Sequence, residues 1–308
     1  MKISSTLLIA ATVTLSNFAG ASTATPAKPA ASNAKQAQAG KFSIELLAKD
    51  KLPVNFKGAN LIETINALEK MSLIKKGEFE TTADFDNRKA KAYAAKLPGG
   101  LGIDDYFAFT FPVSVADSLP VGFRYKYDAD AGDVLFFMLP TNASLNGIGS
   151  PNHDIKGARA DRLDALDFDL NIDKTRTYRA SNAYGATVNV EETSTTVFGL
   201  ASPTIPFLDF KREVGYYRDL IPAARVSMPS ALAAKELPAI KALVVAKITQ
   251  PYLIYDFYHS EPTRDNPKES YRQKKYLSTT IEGVIFYSLA TGQVIARLPD
   301  GFGLPAKQ

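Results

Sequence analysis

The chain has 308 residues, with 36 Lys and Arg against 32 Asp and Glu, no cysteine, and two histidines, His153 and His259. The lack of cysteine removes disulfides, thiolate metal sites and cysteine nucleophiles together, and two separated histidines give no zinc-ligand spacing. Three of the basic residues, Lys2, Lys28 and Lys35, precede residue 41, where no acid stands, so the remainder is close to neutral at +1 and offers no broad counterion-releasing surface to nucleic acid.

Lys2 is followed by an apolar run from Ile3 to Leu15, broken by scattered Ser and Thr, and then by Ala19-Gly20-Ala21. A positive start, an apolar stretch shorter than the ~20 residues of a spanning helix and a small-x-small pattern predict a secretory signal peptide over 1–21, cleaved near Ala21. The expected location is periplasmic or secreted. No later run approaches ~18 apolar residues, so the mature chain is expected to have no transmembrane anchor. Residues 22–40 contain no large apolar side chain. They cannot bury enough surface to offset their ordering entropy and read as a disordered Ala/Pro/Lys linker. The globular region then runs over 41–308, with a candidate sub-boundary in the Gly/Asn/Pro-rich stretch 142–157.

Asn60-Leu61-Ile62-Glu63 has the form of a capping box, and Leu61, Ile65 and Leu68 recur at i, i+4 and i+7, which predicts an amphipathic helix ending before Leu73. Thr81 through Asp84 marks a second start, running to about Lys96, with Phe85, Ala92 and the stem of Lys89 on the buried side and Pro98-Gly99-Gly100 as the stop. Beyond that stop the period changes from 3.6 to 2. Strands are expected over Tyr106–Val115, over Gly122–Tyr127 and Val134–Leu139 around a turn at 128–133, and over Leu166–Asp173, whose alternating acids predict one wet face. Thr187–Val190 and Thr195–Leu200 follow, then a short helix at Ser230–Glu236. Ile240–Thr249 and Tyr252–Tyr258 read as two strands separated by Pro251, and Leu277–Leu289 and Gln293–Leu298 as a closing hairpin around Gly292. The expected fold class is therefore α+β: an N-terminal helical pair packed on a predominantly antiparallel sheet, with one short helix later.

Lys76-Gly-Glu-Phe-Glu-Thr-Thr-Ala-Asp-Phe-Asp-Asn-Arg88 resembles a KGEFETTxxFxxR motif that recurs in uncharacterised bacterial exported proteins. The resemblance implies an exported, helix-then-sheet protein and carries no activity with it. The residues themselves suggest a structural role: Phe79 and Phe85 dock the helix on the sheet, Thr81 or Thr82 caps it, and Arg88 pairs with Glu80 or Asp84. If the motif is instead a site, its acids and arginine suit a polar ligand.

The remaining candidates for chemistry fail on spacing. Asp169-x-Asn171-x-Asp173 opens like a calcium loop, but Lys174 stands where the turn glycine belongs and Ala180 where the bidentate acid belongs; Asp128-x-Asp130 ends with Leu139 in the twelfth position. Gly147-Ile148-Gly149-Ser150-Pro151 lacks the nucleophile-elbow pattern, and the adjacent His153 and Asp154 point apart on an extended chain. The one basic run, Arg272-Gln273-Lys274-Lys275, reads as a solvated strand end. No metal or cofactor is implied. In the aromatic stretch from Tyr252 to Tyr258, alternation sends half of the side chains to the core and leaves Tyr252, Asp256 and Tyr258 as the candidate face for a sugar or peptide. The expectation for function is a non-catalytic binding or interaction protein of the bacterial envelope, its partner another envelope protein or a small ligand. The alternative is a hydrolase acting on envelope polymers with two carboxylates.

Overall fold

From Tyr106 to Val115 the chain alternates Phe107, Phe109 and Phe111 with Ala108 and Thr110, and this alternation sets how the sheet is built. The computed structural model describes residues 44–116, 122–144, 162–181, 185, 187–205 and 222–299, all within one compact unit, 37–308. The segments expected to be a leader and a linker, and residues 145–161 with Gly147–Ser150 and His153, lie outside the described residues.

Among the described residues there are ten strands: β1 (Tyr106–Val115), β2 (Gly122–Asp128), β3 (Asp133–Leu139), β4 (Thr141–Ser144), β5 (Arg162–Ser181), β6 (Thr187–Ser202), β7 (Ala224–Ser227), β8 (Ile240–Ser260), β9 (Lys268–Ser288) and β10 (Val294–Leu298). They form one sheet in the order β4-β5-β6-β9-β8-β1-β2-β3-β7, with β10 paired to β9. The α-helices among the described residues are α1 (Leu61–Ser72), α2 (Thr82–Tyr93) and α3 (Ser230–Glu236). The α+β class and the short late helix are as the sequence predicts, but the sheet is mixed: β1–β2 and β6–β9 run parallel. The second of these has a plain origin. β5–β6 and β8–β9 are separate hairpins lying side by side, and hydrophobic alternation does not specify the relative direction of strands from different hairpins.

The sheet curls on itself. Phe136 of β3 stacks on Phe286 of β9 at 4.3 Å, and Phe123 of β2 meets the same ring edge-on at 5.9 Å, although several strands separate them in the sheet order. At the far edge β7 comes round against β10. The enclosed core takes Phe107, Phe109 and Phe111 from β1 and Val284 and Phe286 from β9, with the smaller Ala242 and Ala246 of β8 leaving room for the rings. The opposite faces of these central strands are also buried, because Leu47, Leu52 and Phe56 from the chain before α1 cover Ala108, Leu243, Val245 and Ile285. Burial on both faces is what makes Leu243–Ala246 a continuous apolar run.

Beyond this body the sheet continues as a four-stranded arm, β5-β6-β9-β8. Its α1-side face begins with Leu166, Phe198, Leu200, Leu253 and Leu277, covered by Leu61, Ile65 and Leu68 of α1. Asn60 caps α1, its Oδ1 accepting from the Glu63 amide at 3.2 Å. On the other face Tyr276 of β9 leans over Gly199 of β6 and donates to Asp167 of β5 at 2.8 Å. A Cβ on Gly199 would stand 2.4 Å from the Leu166 carbonyl and 2.8 Å from the Tyr276 ring, so the ring can lie flat only because residue 199 is glycine. Asp167 therefore does not face open water as its alternating pattern predicts. It is half-buried, and Thr141 also donates to it at 3.2 Å.

Other expectations change in their boundaries. The turn at 128–133 forms as predicted, with the Asp128 carboxylate accepting from the amides of Asp130 and Ala131 and Gly132 at φ 68°. Ile240–Thr249 and Tyr252–Tyr258 are one strand, not two, because Pro251 falls in the register shift between Ile248 and Leu253, where the ladder to β9 does not need its missing amide. Arg272–Lys275 likewise sits inside β9, paired on both sides, and not at a solvated strand end.

Tyr276→Phe is expected to lower stability by about 1–3 kcal/mol, the usual range for removing a donor from a partly buried charged acceptor. Gly199→Ala is expected to cost at least as much, because backbone rather than a flexible side chain must yield. Urea unfolding midpoints at unchanged slope check both.

Candidate functional site

Thr81 begins α2 by accepting from the Asp84 amide at 3.1 Å and donating to the Asp84 carboxylate at 2.6 Å. The motif before it folds as a closed turn. The Glu80 carboxylate accepts from the Gly77 amide at 2.9 Å and from Arg88 Nε and Nη2 at 2.9 and 2.7 Å; Arg88 Nη2 also donates to the Lys75 carbonyl at 3.0 Å, and Lys76 Nζ to Thr82 Oγ1 at 2.9 Å. The Arg88 hydrogen bonds and the Gly77 amide hold the Glu80 carboxyl down to about 2 from its ordinary 4.5. Thr81 capping and the Glu80–Arg88 pair are thus as the sequence reading has them. The docking role given to Phe79 is not: its side chain is 94% exposed. Phe85 is half-buried beneath Arg88 and Lys89, and α2 buries no side chain fully, so of the helical pair only α1 is packed into the core. The physical reason is composition, since α2 is too polar to supply the apolar stripe that α1 has.

α2 instead forms a wall. Asp86, Lys89, Ala90 and Tyr93, spaced i, i+3, i+4 and i+7, lie on one helical face and line a cleft of about 560 Å³. The facing wall is the β8 stretch from Gln250 to Tyr255, with Leu68 and Ser72 of α1 between. The register shift at Pro251 breaks the strict alternation of β8, so that Tyr252, Leu253 and Tyr255 all reach the cleft. Tyr93 and Tyr252 meet with ring centroids 5.0 Å apart and planes tilted by 43°. Gln250 Nε2 donates to the Tyr252 hydroxyl at 3.1 Å. The Tyr255 hydroxyl donates to Glu69 Oε1 at 3.3 Å, and Lys275 Nζ holds both Glu69 oxygens at 2.8 and 3.0 Å. Burial, with the Glu69 charge beside it, pushes Tyr255 up to about 12, and burial also raises Tyr93. Both phenols are therefore neutral at physiological pH.

Of the predicted face, only Tyr252 is in the cleft. Asp256 lies on the far face of the arm, opposite Lys274 in register, and Tyr258 is 62% exposed further along β8. Strict alternation from Tyr252 gives the wrong partners because the shift at Pro251 intervenes. Tyr255, which alternation assigns to the core, and Asp86, Lys89 and Tyr93 are the residues that sequence reasoning missed. The i, i+3, i+4, i+7 spacing on α2 was a signal available for the last three.

A second polar arrangement lies toward the tip of the arm, on the α1-side face. Glu269 of β9 accepts from Tyr178 at 2.6 Å and Tyr271 at 2.5 Å, with His259 Nε2 at 2.9 Å; the His259 and Tyr271 rings stack at 4.1 Å. Beside it Arg176 pairs with Glu192 at 2.6 Å. The tyrosine hydroxyls, followed by His259, lower Glu269 to about 2, and the bond to Glu269 raises Tyr271 to about 12. Among the described residues no three His, Asp or Glu side chains converge as a metal site, and no described helix is long and apolar enough to cross a membrane.

No family model, curated protein or solved structure matches this chain.

Because Glu269 is held below its ordinary 4.5, the stability it contributes is complete above that pH and is lost as pH falls toward 2. The thermal midpoint of the wild type is expected to drop across this window. In Glu269→Gln it is expected to start lower at neutral pH and fall less steeply in acid, read by circular dichroism at a series of pH values.

Proposed function

We propose that this chain is an exported, non-catalytic binding protein of the bacterial envelope that takes a polar, saccharide-sized ligand into the cleft between α2 and β8. The observation that carries the reading is the convergence of Tyr93, Tyr252 and Tyr255 on one concave surface whose volume falls within the ~300–1,000 Å³ of small-molecule sites. Tyrosine rings offer flat faces to the C–H surfaces of a sugar ring, and Asp86, Lys89 and Gln250 supply acceptors and donors for its hydroxyls. Export is supported by the charge, apolar run and small residues of 1–21 and by the resemblance of the Lys76–Arg88 segment to bacterial exported proteins.

The hydrolase alternative needs two carboxylates roughly 5–10 Å apart, one of them arriving protonated. Asp86 is the sole carboxylate among the described residues lining the cleft, and Glu80, Glu236 and Glu269 elsewhere are all held on the ionised side. Both features favour binding over turnover.

Ligand-observed NMR with soluble murein fragments and neutral oligosaccharides tests the reading. Wild-type protein is expected to give saturable transfer signals for at least one saccharide class, with Tyr252→Ala weakening binding at least about tenfold, as for loss of an aromatic platform. Absence of saccharide binding, or equal binding by Tyr252→Ala, would count against the cleft as the site. Release of reducing ends from the same murein fragments would favour the enzyme instead.

A further inference from the structure

Phe79 is the most exposed large apolar side chain of the described protein, and the chain goes to some length to present it. It occupies a corner of the 77–80 turn, which is closed by the Glu80 amide donating to the Gly77 carbonyl at 3.2 Å and by the Gly77 amide donating back to the Glu80 carboxylate. Arg88 clamps that carboxylate to α2 and ties down the Lys75 carbonyl, while Lys76 reaches Thr82. A turn tied at this many points has little freedom to fold its phenylalanine back against the protein. The exposure of Phe79 is therefore a built property of the Lys76–Arg88 motif.

The surroundings limit what the ring can meet. Leu73, just past the end of α1, is 66% exposed, and the charged and polar side chains that flank Leu73 and Phe79 in the chain, Lys70, Lys75, Lys76, Glu78 and Thr81, are all solvent-facing. From Lys70 to Lys96 there are seven Lys and Arg against the four acids Glu78, Glu80, Asp84 and Asp86, an excess of +3 in a globular region whose whole balance is +1. A protein hot spot needs a rim of contacts that excludes water around its central ring. Exposed lysines, whose ammonium groups are strongly hydrated, supply no such rim. A lipid interface needs none: the aromatic ring enters at headgroup depth while lysines lie alongside the phosphates.

We propose that the Phe79 turn is a membrane-surface contact, with Phe79 and Leu73 entering the headgroup region of an anionic phospholipid leaflet and Lys70, Lys75 and Lys76 pairing with its phosphates. The contact is shallow and reversible, two apolar side chains with a modest basic flank. It is independent of what the cleft binds.

Vesicle flotation tests it, using protein recovered from the producing cells and two vesicle types, phosphatidylglycerol with phosphatidylethanolamine and phosphatidylcholine alone. The wild type is expected to float with the anionic vesicles at low salt, less so as salt is raised, and not with phosphatidylcholine. Phe79→Ser is expected to lower partitioning about tenfold and Lys75→Gln about fivefold. Phe257→Ser, at another exposed aromatic on β8, is expected to leave it unchanged. Phe79 makes no core contact, so its variant should retain the wild-type circular dichroism spectrum. Failure of the wild type to float with anionic vesicles overturns the proposal and leaves a protein partner as the use of the turn. Equal flotation by Phe79→Ser, or an equal loss in Phe257→Ser, overturns it as well.

Discussion

Strand β9 has to satisfy hydrogen-bonding groups along both edges and bury side chains on both faces, and the rest of the protein is arranged around that demand. From Ser270 to Ser288 one edge is taken by β8, with two register shifts, while the other pairs with β6 over 268–278 and with β10 over 284–287. A buried backbone group without a partner costs about as much as a lost hydrogen bond, and the two strands between them take up most of that second edge. The first half of β9 then belongs to the arm and the second to the closed body. Tyr276 sits near the junction, its hydroxyl reaching across β6 to Asp167, which ties three strands together at the level of side chains as well as backbone.

The arm's polar groups are placed by the same logic. Lys275 lies one residue before Tyr276 and so projects to the opposite face, where it meets Glu69 on α1. That pair sits at the boundary between the apolar part of the face, covered by Leu61, Ile65 and Leu68, and the more distant part bearing Glu269, His259 and Tyr271. Ion pairs of this kind add modest stability but fix register, since a slip of one residue would send Lys275 to the far face and leave Glu69 unmatched beneath Tyr255.

Much of this was legible in the chain. The cap at Asn60, the Leu61–Ile65–Leu68 stripe and the Asp128–Asp133 turn are local devices, and local devices are written in consecutive residues. What was not legible depended on distant segments. Whether Asp167 meets water or a tyrosine is decided by a strand more than a hundred residues later. Tyr252, Asp256 and Tyr258 separate because a proline inside a strand moves the register, an effect that composition marks only as a break. Phe79 misled for a different reason: an aromatic residue between two helical signals usually means docking, and nothing in the segment alone distinguishes a ring turned inward from one turned out.

The cleft has walls of unequal firmness. Its β8 side is continuous with the doubly covered centre of the sheet, whereas α2 is held by the Glu80–Arg88 clamp, the Tyr93–Tyr252 contact and little apolar burial. Detaching such a helix exposes scarcely any hydrophobic area, so its opening free energy lies far below that of global unfolding. On the proposed binding role, a guest bridging both sides would gain by immobilising a segment the core does not restrain, and its residence time would follow how often that segment lifts away.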